Sequence, residues 1–395
     1  MDKVTNPYRP GAGTQPVYLA GRDEIISDAE SLLKRVKLGN PQRSIMLYGL
    51  RGVGKTVLLN RIETIADQEG YIVQFLEMSE TDDFKKVFLT YARKALLKIN
   101  RLENAKAKLK KALGILKAFS ISLPDGPEFK IDVDAVTGEG DSGDFESDLT
   151  DIVMSLGEAA LEESKYVCFF IDETQYLDEI SYAALIAASH RITQKSLPVV
   201  FICAGLPQIA GLSGDAKSYA ERLYNYRKID KLASPESNNA LENPAKELSV
   251  EFTPEATSYI LEKTEGYPYF IQEYGSHAWN EAEKSPITLQ DVTNGEQKAL
   301  KFLDESFFKV RLDRAKGRER KMMFCMAKLG KGPYLMNSVA KEMGIQTSSA
   351  SPTRATLISK GFVFTPRHGY IDFTVPLFDE FLNRTEDEFD QDESC

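Results

Sequence analysis

The sequence is poor in the residues that metal centres and extracellular staples need. Its 395 residues include four cysteines, three histidines and one tryptophan. Cys168 and Cys203 lie in apolar, strand-like runs, Cys325 in a helical pattern and Cys395 at the end, with no C-x-x-C or metal-ligand spacing. That argues against a disulfide framework or a histidine-based metal site, and the expectation is reduced thiols in a cytoplasmic protein. No apolar run approaches the roughly 18 residues of a membrane-spanning helix. The start, Met1-Asp2-Lys3-Val4-Thr5-Asn6-Pro7, has no signal-peptide pattern. No membrane partner is expected. Positive charge is also in deficit: 49 Lys and Arg against 59 Asp and Glu leave a net charge of −10. Such a balance opposes general nucleic-acid coating, although an average hides local asymmetry.

What remains is a globular composition, 42% apolar and 27% charged, at a length that points to roughly two or three domains. The stretch that organises the chain runs from Ser44 to Thr56. A short apolar run without helical period ends at Gly49, and a run of helix formers starts at Val57. Between them lies G-x-x-x-x-G-K-T, the phosphate-binding pattern. Gly49, Gly52 and Gly54 let the backbone wrap an anion with its N–H groups inward, and the helix start behind adds a favourable dipole end. Val53 and Val57 complete the predicted nucleotide contacts. Lys55 would reach the β and γ phosphates, and the Thr56 hydroxyl would ligate Mg²⁺. The expected ligand is therefore a nucleotide, with Mg²⁺.

Upstream, residues 1–22 read as a Pro- and Gly-rich arm ending in Gly21-Arg22, followed by a helix from about Asp23 to Lys37. The arm is either a lip on the adenine side of the nucleotide or purely structural. Downstream, Tyr71 to Leu76 reads as a second buried strand and Phe84 as the start of a helix with a Lys-rich face. Phe119-Ser120-Ile121-Ser122-Leu123 and Phe129-Lys130-Ile131-Asp132-Val133 alternate about Pro124-Asp125-Gly126-Pro127, which predicts a β-hairpin inserted at about 119–133. An apolar strand then ends in Asp172-Glu173. In that position Asp172 would hold Mg²⁺ and Glu173 would polarise the attacking water. A fourth strand ends Ala204-Gly205-Leu206-Pro207-Gln208, leaving only Gln208 as a polar residue able to feel the γ-phosphate. Beyond it Arg222 is the choice for a transition-state cation, with Arg227 in reserve and a surface arginine as the other reading.

From Ser234 to about Ala315 the pattern is helical, with N-terminal signals at Ser234-Pro235-Glu236, Thr253-Pro254-Glu255 and Thr288-Leu289-Gln290-Asp291. Gly266-Tyr267-Pro268 at a helix start would either bring backbone up to a nucleotide base or form a simple turn. The last unit, about 318–384, reads helix, helix, helix, hairpin: a winged helix-turn-helix. Residues 318–372 hold nine basic and three acidic residues, a local excess of six positive charges. Such an excess is the footprint of phosphate-backbone contact, although the same fold also docks proteins. Thr347, Ser348 and Arg354 on the third, recognition helix, with Lys360 and Arg367, are the candidates for double-stranded DNA, and Arg354 suits a guanine edge. The tail from Glu386 is acidic and is expected to be disordered.

Taken together, the arm Asn6-Pro7-Tyr8-Arg9-Pro10-Gly11, Gly21-Arg22, the phosphate loop, Phe170-Ile171-Asp172-Glu173, Ala204-Gly205-Leu206-Pro207-Gln208 and Gly266-Tyr267-Pro268 carry a resemblance. With the C-terminal winged unit, the chain resembles the bacterial AAA+/STAND group of ATP-binding proteins, and is similar to archaeal-type and origin-recognition-like ATPases. The resemblance implies an α/β fold: a P-loop NTPase (AAA+-like) parallel sheet, then an all-helical lid and a winged helix-turn-helix domain. The implied domains are an arm at 1–22, the ATPase domain at 23–232, the lid at 233–315, the winged domain at 316–384 and a tail at 385–395. It also implies ATP and Mg²⁺, with Gly21 and Arg22 near the adenine and the Pro268 turn in place of the lid's usual arginine. The activity expected is a slow, ATP-driven DNA-binding switch. The rivals are a STAND-type scaffold that self-associates or docks protein, and a transposition- or helicase-loading adaptor.

Overall fold

Strands covered on both faces need near-continuous apolar sequence, and four runs supply it: β1 (Ser44–Tyr48), β2 (Tyr71–Glu77), β3 (Tyr166–Asp172) and β4 (Val199–Gly205). In the computed structural model they are joined by β5 (Tyr224–Lys228) in one parallel sheet of order β2-β3-β4-β1-β5. The structure describes residues 1–40, 42–99, 106–124, 126, 133–209 and 223–385. Contacts divide it into a sheet unit, Arg22–Tyr48 with Lys55–Lys228, and a second unit of Met1–Gly21, Gly49–Gly54 and Ile229–Cys395.

In the sheet unit, alternate side chains go to opposite faces. Val167, Phe169 and Ile171 of β3 and Val199, Phe201 and Cys203 of β4 enter the main core, which holds residues of α3 (Phe84–Ile99), α4 (Ala107–Ser122), α5 (Phe145–Glu162) and α6 (Glu179–Gln194). Phe169 stacks on Phe201 at 5.4 Å between ring centres and meets Phe88 at 5.2 Å. α2 (Lys55–Gln68), which follows β1 through the phosphate loop, packs on β2, β3 and β4, and α1 (Asp23–Lys37) packs on α2. The strand order reverses beside β1, where β4 and β5 flank it. In open parallel sheets that reversal is where ligands bind, beyond the carboxyl ends of the strands.

One expectation fails here. The first arm of the inserted hairpin is helix: Phe119 to Ser122 close α4, with Phe119 stacked on Phe145 at 6.0 Å and Ile121 left 70% exposed. The alternation of Phe119, Ile121 and Leu123 was too short to outweigh the helical register of Leu109, Ala112, Leu113 and Leu116, all buried. Of the second arm, residues 129–132 lie outside the described residues, as does the predicted tail beyond 385. The segment bearing Arg227 is a strand, β5, in register with β1 (Met46 opposite Tyr226).

In the second unit the helices Glu236–Lys246, Pro254–Thr264, Pro268–Glu281 and Leu289–Phe302 form where the capping signals placed them. Thr253 accepts from the Ala256 N–H with Pro254 at the first helical position, and Thr288 and Asp291 make a reciprocal capping box. The N-terminal arm lies on these helices. Tyr8 is 4% exposed, its ring against Gly275, and its hydroxyl donates to the Leu241 carbonyl at 2.5 Å. Asn6 donates to the Ser276 carbonyl at 3.0 Å, and the Trp279 indole donates to that of Asp2 at 3.0 Å. Those bonds fix residues 2–9 on the helices.

The chain then turns through Leu303–Phe308 into three helices, Arg318–Lys328, Met336–Glu342 and Thr347–Ser359. A small antiparallel sheet accompanies them: β6 (Tyr334–Leu335), β7 (Val363–Phe364) and β8 (Tyr370–Phe373), with β8 in the middle. Phe308 stacks on Phe381 at 5.2 Å, tying this group to the preceding helices. Cys168, Cys203 and Cys325 are buried free thiols. Among the described residues no helix is long and apolar enough to cross a membrane.

Candidate functional site

Lys55 and Thr56 open α2, directly after Gly54, while Asp172 closes β3 and Glu173 comes next. The Thr56 hydroxyl donates to Asp172 Oδ2 at 2.6 Å, and the Glu173 N–H donates to Asp172 Oδ1 at 2.8 Å. The sequence-predicted Mg²⁺ pair is thus in direct contact. Asp172 is 2% exposed, and burial pushes its carboxyl above the usual range, against the opposing pull of the Thr56 bond and of Lys55. A desolvated carboxylate beside a hydroxyl is a hard-oxygen donor set that gains from a cation, and Mg²⁺ takes such pairs with phosphate oxygens and water. The residues therefore fit the ion. Among the described residues no cluster of three or more His, Cys, Asp or Glu gathers into an all-protein metal site. Lys55 is buried, 8% exposed.

Glu173 adopts the left-handed conformation (φ 55°, ψ 39°), which costs a non-glycine residue about 1–3 kcal/mol. Its two C-terminal neighbours hold it there. The buried Thr174 hydroxyl donates to the Ala204 carbonyl at 2.9 Å, and the Gln175 side chain reaches both Glu173 and the Leu206 N–H. Gln208 lies just beyond β4 with its amide oxygen buried and without a hydrogen-bond partner. Thr174 and Gln175 went unnoticed in the sequence, where the only signal was two polar residues directly after Asp-Glu. Arg222 falls outside the described residues. Arg227 pairs with Asp28 at 2.8 Å and with Glu24.

The loop Gly49–Gly54 belongs to the second unit. Gly52 and Gly54 have φ of 78° and 89°, which side chains resist. A Cβ on Gly49 would stand 2.0 Å from the Ile229 carbonyl oxygen. The loop has two further backbone partners: the Tyr269 N–H donates to the Gly52 carbonyl at 3.3 Å, and the Arg51 N–H donates to the Thr374 carbonyl at 2.8 Å. Thr374 is fully buried just after β8, its hydroxyl donating to the Gly361 carbonyl at 2.6 Å. Pro268 occupies the first turn of the helix that supplies Tyr269. The Leu232 N–H donates to the Gly266 carbonyl at 2.8 Å, and the Leu232 side chain lies against Gly21. The stretch 229–232 therefore gathers Gly49, Gly21 and the Gly266-Tyr267-Pro268 turn. Arg22 is buried, 9% exposed, at the start of α1 in the sheet unit, and Val53 is fully buried.

The five DNA candidates differ in how they are engaged. Ser348 is exposed, and Thr347 donates to Asn337 Oδ1 at 3.0 Å. Arg367 lies 3.9 Å over the Tyr370 ring. Arg354 donates to the Thr365 hydroxyl at 2.5 Å, and Lys360 pairs with Glu319 at 2.9 Å.

Comparison with known proteins agrees with this geometry. Residues 18–202 match the family described as AAA ATPase domain, and residues 305–382 match a domain of unknown function, DUF8462. No curated protein matches. Among solved structures, the Walker-type ATPase paby2304 of Pyrococcus abyssi is similar at a TM-score of 0.59 and 15% identity, covering 95% of this chain and 98% of that one. The Aeropyrum pernix Orc1 protein in complex with DNA gives 0.46 at 14% identity, with 95% and 94% covered. The Thermotoga maritima RuvB Holliday junction branch migration motor gives 0.44 at 15%, with 89% and 92% covered. The last two are partial likenesses. Residues 18–202 are thus similar to an AAA ATPase domain, and the chain shares its fold with the Walker-type ATPase.

Proposed function

We propose that this chain is an ATP-dependent switch that hydrolyses ATP slowly and presents a C-terminal winged helix-turn-helix to duplex DNA according to the nucleotide bound. The observation that carries the reading is the bond from the Arg51 N–H to the Thr374 carbonyl. An N–H of the phosphate loop is the group a bound phosphate draws toward itself. Here that group holds the backbone directly after β8. Phosphates that reorganise the loop compete for Arg51 and so bias the C-terminal unit between two arrangements. The helices of 233–315 act as the lid, with the Pro268 turn touching the loop through Tyr269.

Within the site each side chain has a task. Lys55 neutralises the β and γ phosphates, and Thr56 and Asp172 hold Mg²⁺, whose contribution is to offset the charge of the transferring phosphoryl group. Glu173 orients the attacking water and accepts its proton. On the C-terminal unit, Ser348 and Arg367 make phosphate or base contacts.

A second reading is favoured by a specific observation. Lys360 and Arg354, the cations placed to meet DNA, already have partners in Glu319 and Thr365. A scaffold whose winged unit docks protein would need neither. Fluorescence anisotropy with duplex DNA separates the two, run without nucleotide, with ADP and with ATP plus Mg²⁺ at two salt concentrations. Salt-sensitive binding that depends on nucleotide, weakened several-fold by Arg367→Ala, is the expected result. No binding in any state, together with an ATP-driven change in oligomer size, transfers the function to the scaffold.

A further inference from the structure

β4 ends without a polar side chain: Ala204, Gly205, Leu206 and Pro207 precede Gln208. The space that residue 205 leaves is taken by the segment after β3. A Cβ on Gly205 would lie 2.5 Å from the Thr174 hydroxyl oxygen and 2.9 Å from Gln175 Oε1. Gln175 Oε1 accepts the Leu206 N–H at 3.0 Å, and the other end of the same amide, Nε2, donates to Glu173 Oε2. A carboxamide accepts at its oxygen and donates at its nitrogen without carrying charge. Leucine, serine or glutamate at 175 would not make both bonds.

We propose that Gln175 is a positioning residue for ATP hydrolysis, aiming the Glu173 carboxylate and tying its placement to the backbone at the end of β4. This rests on the reading of Glu173 as the group that activates water. The two links from this segment to β4 do different work. Thr174, fully buried, fixes backbone to backbone through the Ala204 carbonyl. Gln175 fixes a side chain, and the side chain is the one that meets water. A hydrogen bond from the amide limits rotation of the Glu173 carboxylate. A shift of Leu206 is passed to the Glu173 carboxylate through one amide. The γ-phosphate side of β4 thereby gains a polar group that its own sequence does not supply.

The test turns on Gln175→Glu, which keeps an acceptor for the Leu206 N–H but replaces the donor to Glu173 with a second carboxylate. Steady-state ATP hydrolysis and equilibrium nucleotide binding are measured on the full chain for wild type, Glu173→Gln, Gln175→Glu and the double variant. Turnover in Gln175→Glu is expected to fall roughly tenfold or more in kcat, with the KM for ATP little changed. Nucleotide affinity should stay within about twofold, since the amide's hydrogen bonds go to Glu173 and Leu206. Thermal melting gives a readout independent of activity. Glu173→Gln restores a donor–acceptor match to Gln175→Glu, so the double variant should melt higher than Gln175→Glu alone.

Wild-type kcat in Gln175→Glu, with Glu173→Gln inactive, would overturn the proposal and leave Glu173 in its role. Additive melting shifts would do the same, by making Gln175 a tether to Leu206 alone. Normal hydrolysis in Glu173→Gln, or none in wild type, would instead remove the reading beneath it.

Discussion

Glu273, on the helix Pro268–Glu281, links a titration to the stability of the second unit. Its side chain is 2% exposed, and burial pushes its carboxyl up to about 7, against the opposing pull of the Tyr269 hydroxyl. His277 lies 3.9 Å away with its own imidazole shifted down by burial, so it supplies little compensating charge near neutrality. The folded protein therefore keeps a proton on Glu273 at pH values where the unfolded chain, with an ordinary Glu near 4.3, has lost it. A separation of roughly 2.5 units at 1.36 kcal/mol per unit is worth about 3 kcal/mol. The sign comes from the raised value: this contribution is complete below about pH 4.5, shrinks as pH rises and is gone above about pH 7. Glu273→Gln keeps an acceptor for the Tyr269 hydroxyl and has nothing to titrate. Urea unfolding of both proteins at pH 5, 6, 7 and 8 isolates the effect, because every other titrating group is shared. The variant should match wild type within about 1 kcal/mol at pH 5 and exceed it by about 3 kcal/mol at pH 8. A difference that stays constant with pH would refute the argument.

Other consequences are more local. Gly49→Ala places a methyl 2.0 Å from the Ile229 carbonyl oxygen, and a melting scan should show a loss of about 1–3 kcal/mol with nucleotide affinity reduced. Tyr8→Phe removes the donor to the buried Leu241 carbonyl, and chemical unfolding should read a loss of about 1–2 kcal/mol without change in nucleotide affinity. Glu173→Gln should bind labelled ATP as wild type does and lose hydrolysis by about 100-fold or more, whereas Lys55→Ala should weaken binding itself. Undiminished turnover in the glutamine variant would show that another group activates the water.

Legibility in the sequence depended on how local the physics was. The phosphate loop, β1 to β4 and the Asp172-Glu173 pair were readable because each is a short segment with its own signature: glycines at forced φ, continuous apolar runs, two acids at a strand end. The caps at Thr253 and Thr288 were readable for the same reason, since their bonds close within three residues. What stayed hidden depends on partners far along the chain. β5 is only partly buried, and the Tyr224, Tyr226 alternation gains meaning only once β1 lies beside it. Phe119 looked like strand because its partner, Phe145, is 26 positions away. Gln175 has a role only because Leu206 is next to it. The Lys360 pair with Glu319 spans 41 positions, so a net charge read from the sequence could not say which cations are already paired.

The same dependence on distant partners explains why the loop Gly49–Gly54 matters beyond phosphate binding. β1 and β5 pair in register to Tyr48 and Lys228, so the chain leaves both strands side by side, and Gly49 meets Ile229 at once. Residues 229–232 then contact Gly21 and Gly266 within four positions, with no room for slack at Gly49 or Gly266, where an added Cβ would stand 2.0 Å and 2.3 Å from carbonyl oxygens. Other backbone groups of the loop are engaged at Gly52 by Tyr269 and at Arg51 by Thr374. Where a bound phosphate displaces a loop held at so many points, close-packed neighbours transmit the strain rather than absorb it. Any rearrangement on nucleotide binding must therefore be shared with the turn at Pro268 and the backbone after β8, which is why the C-terminal unit is where a nucleotide-dependent change should be sought.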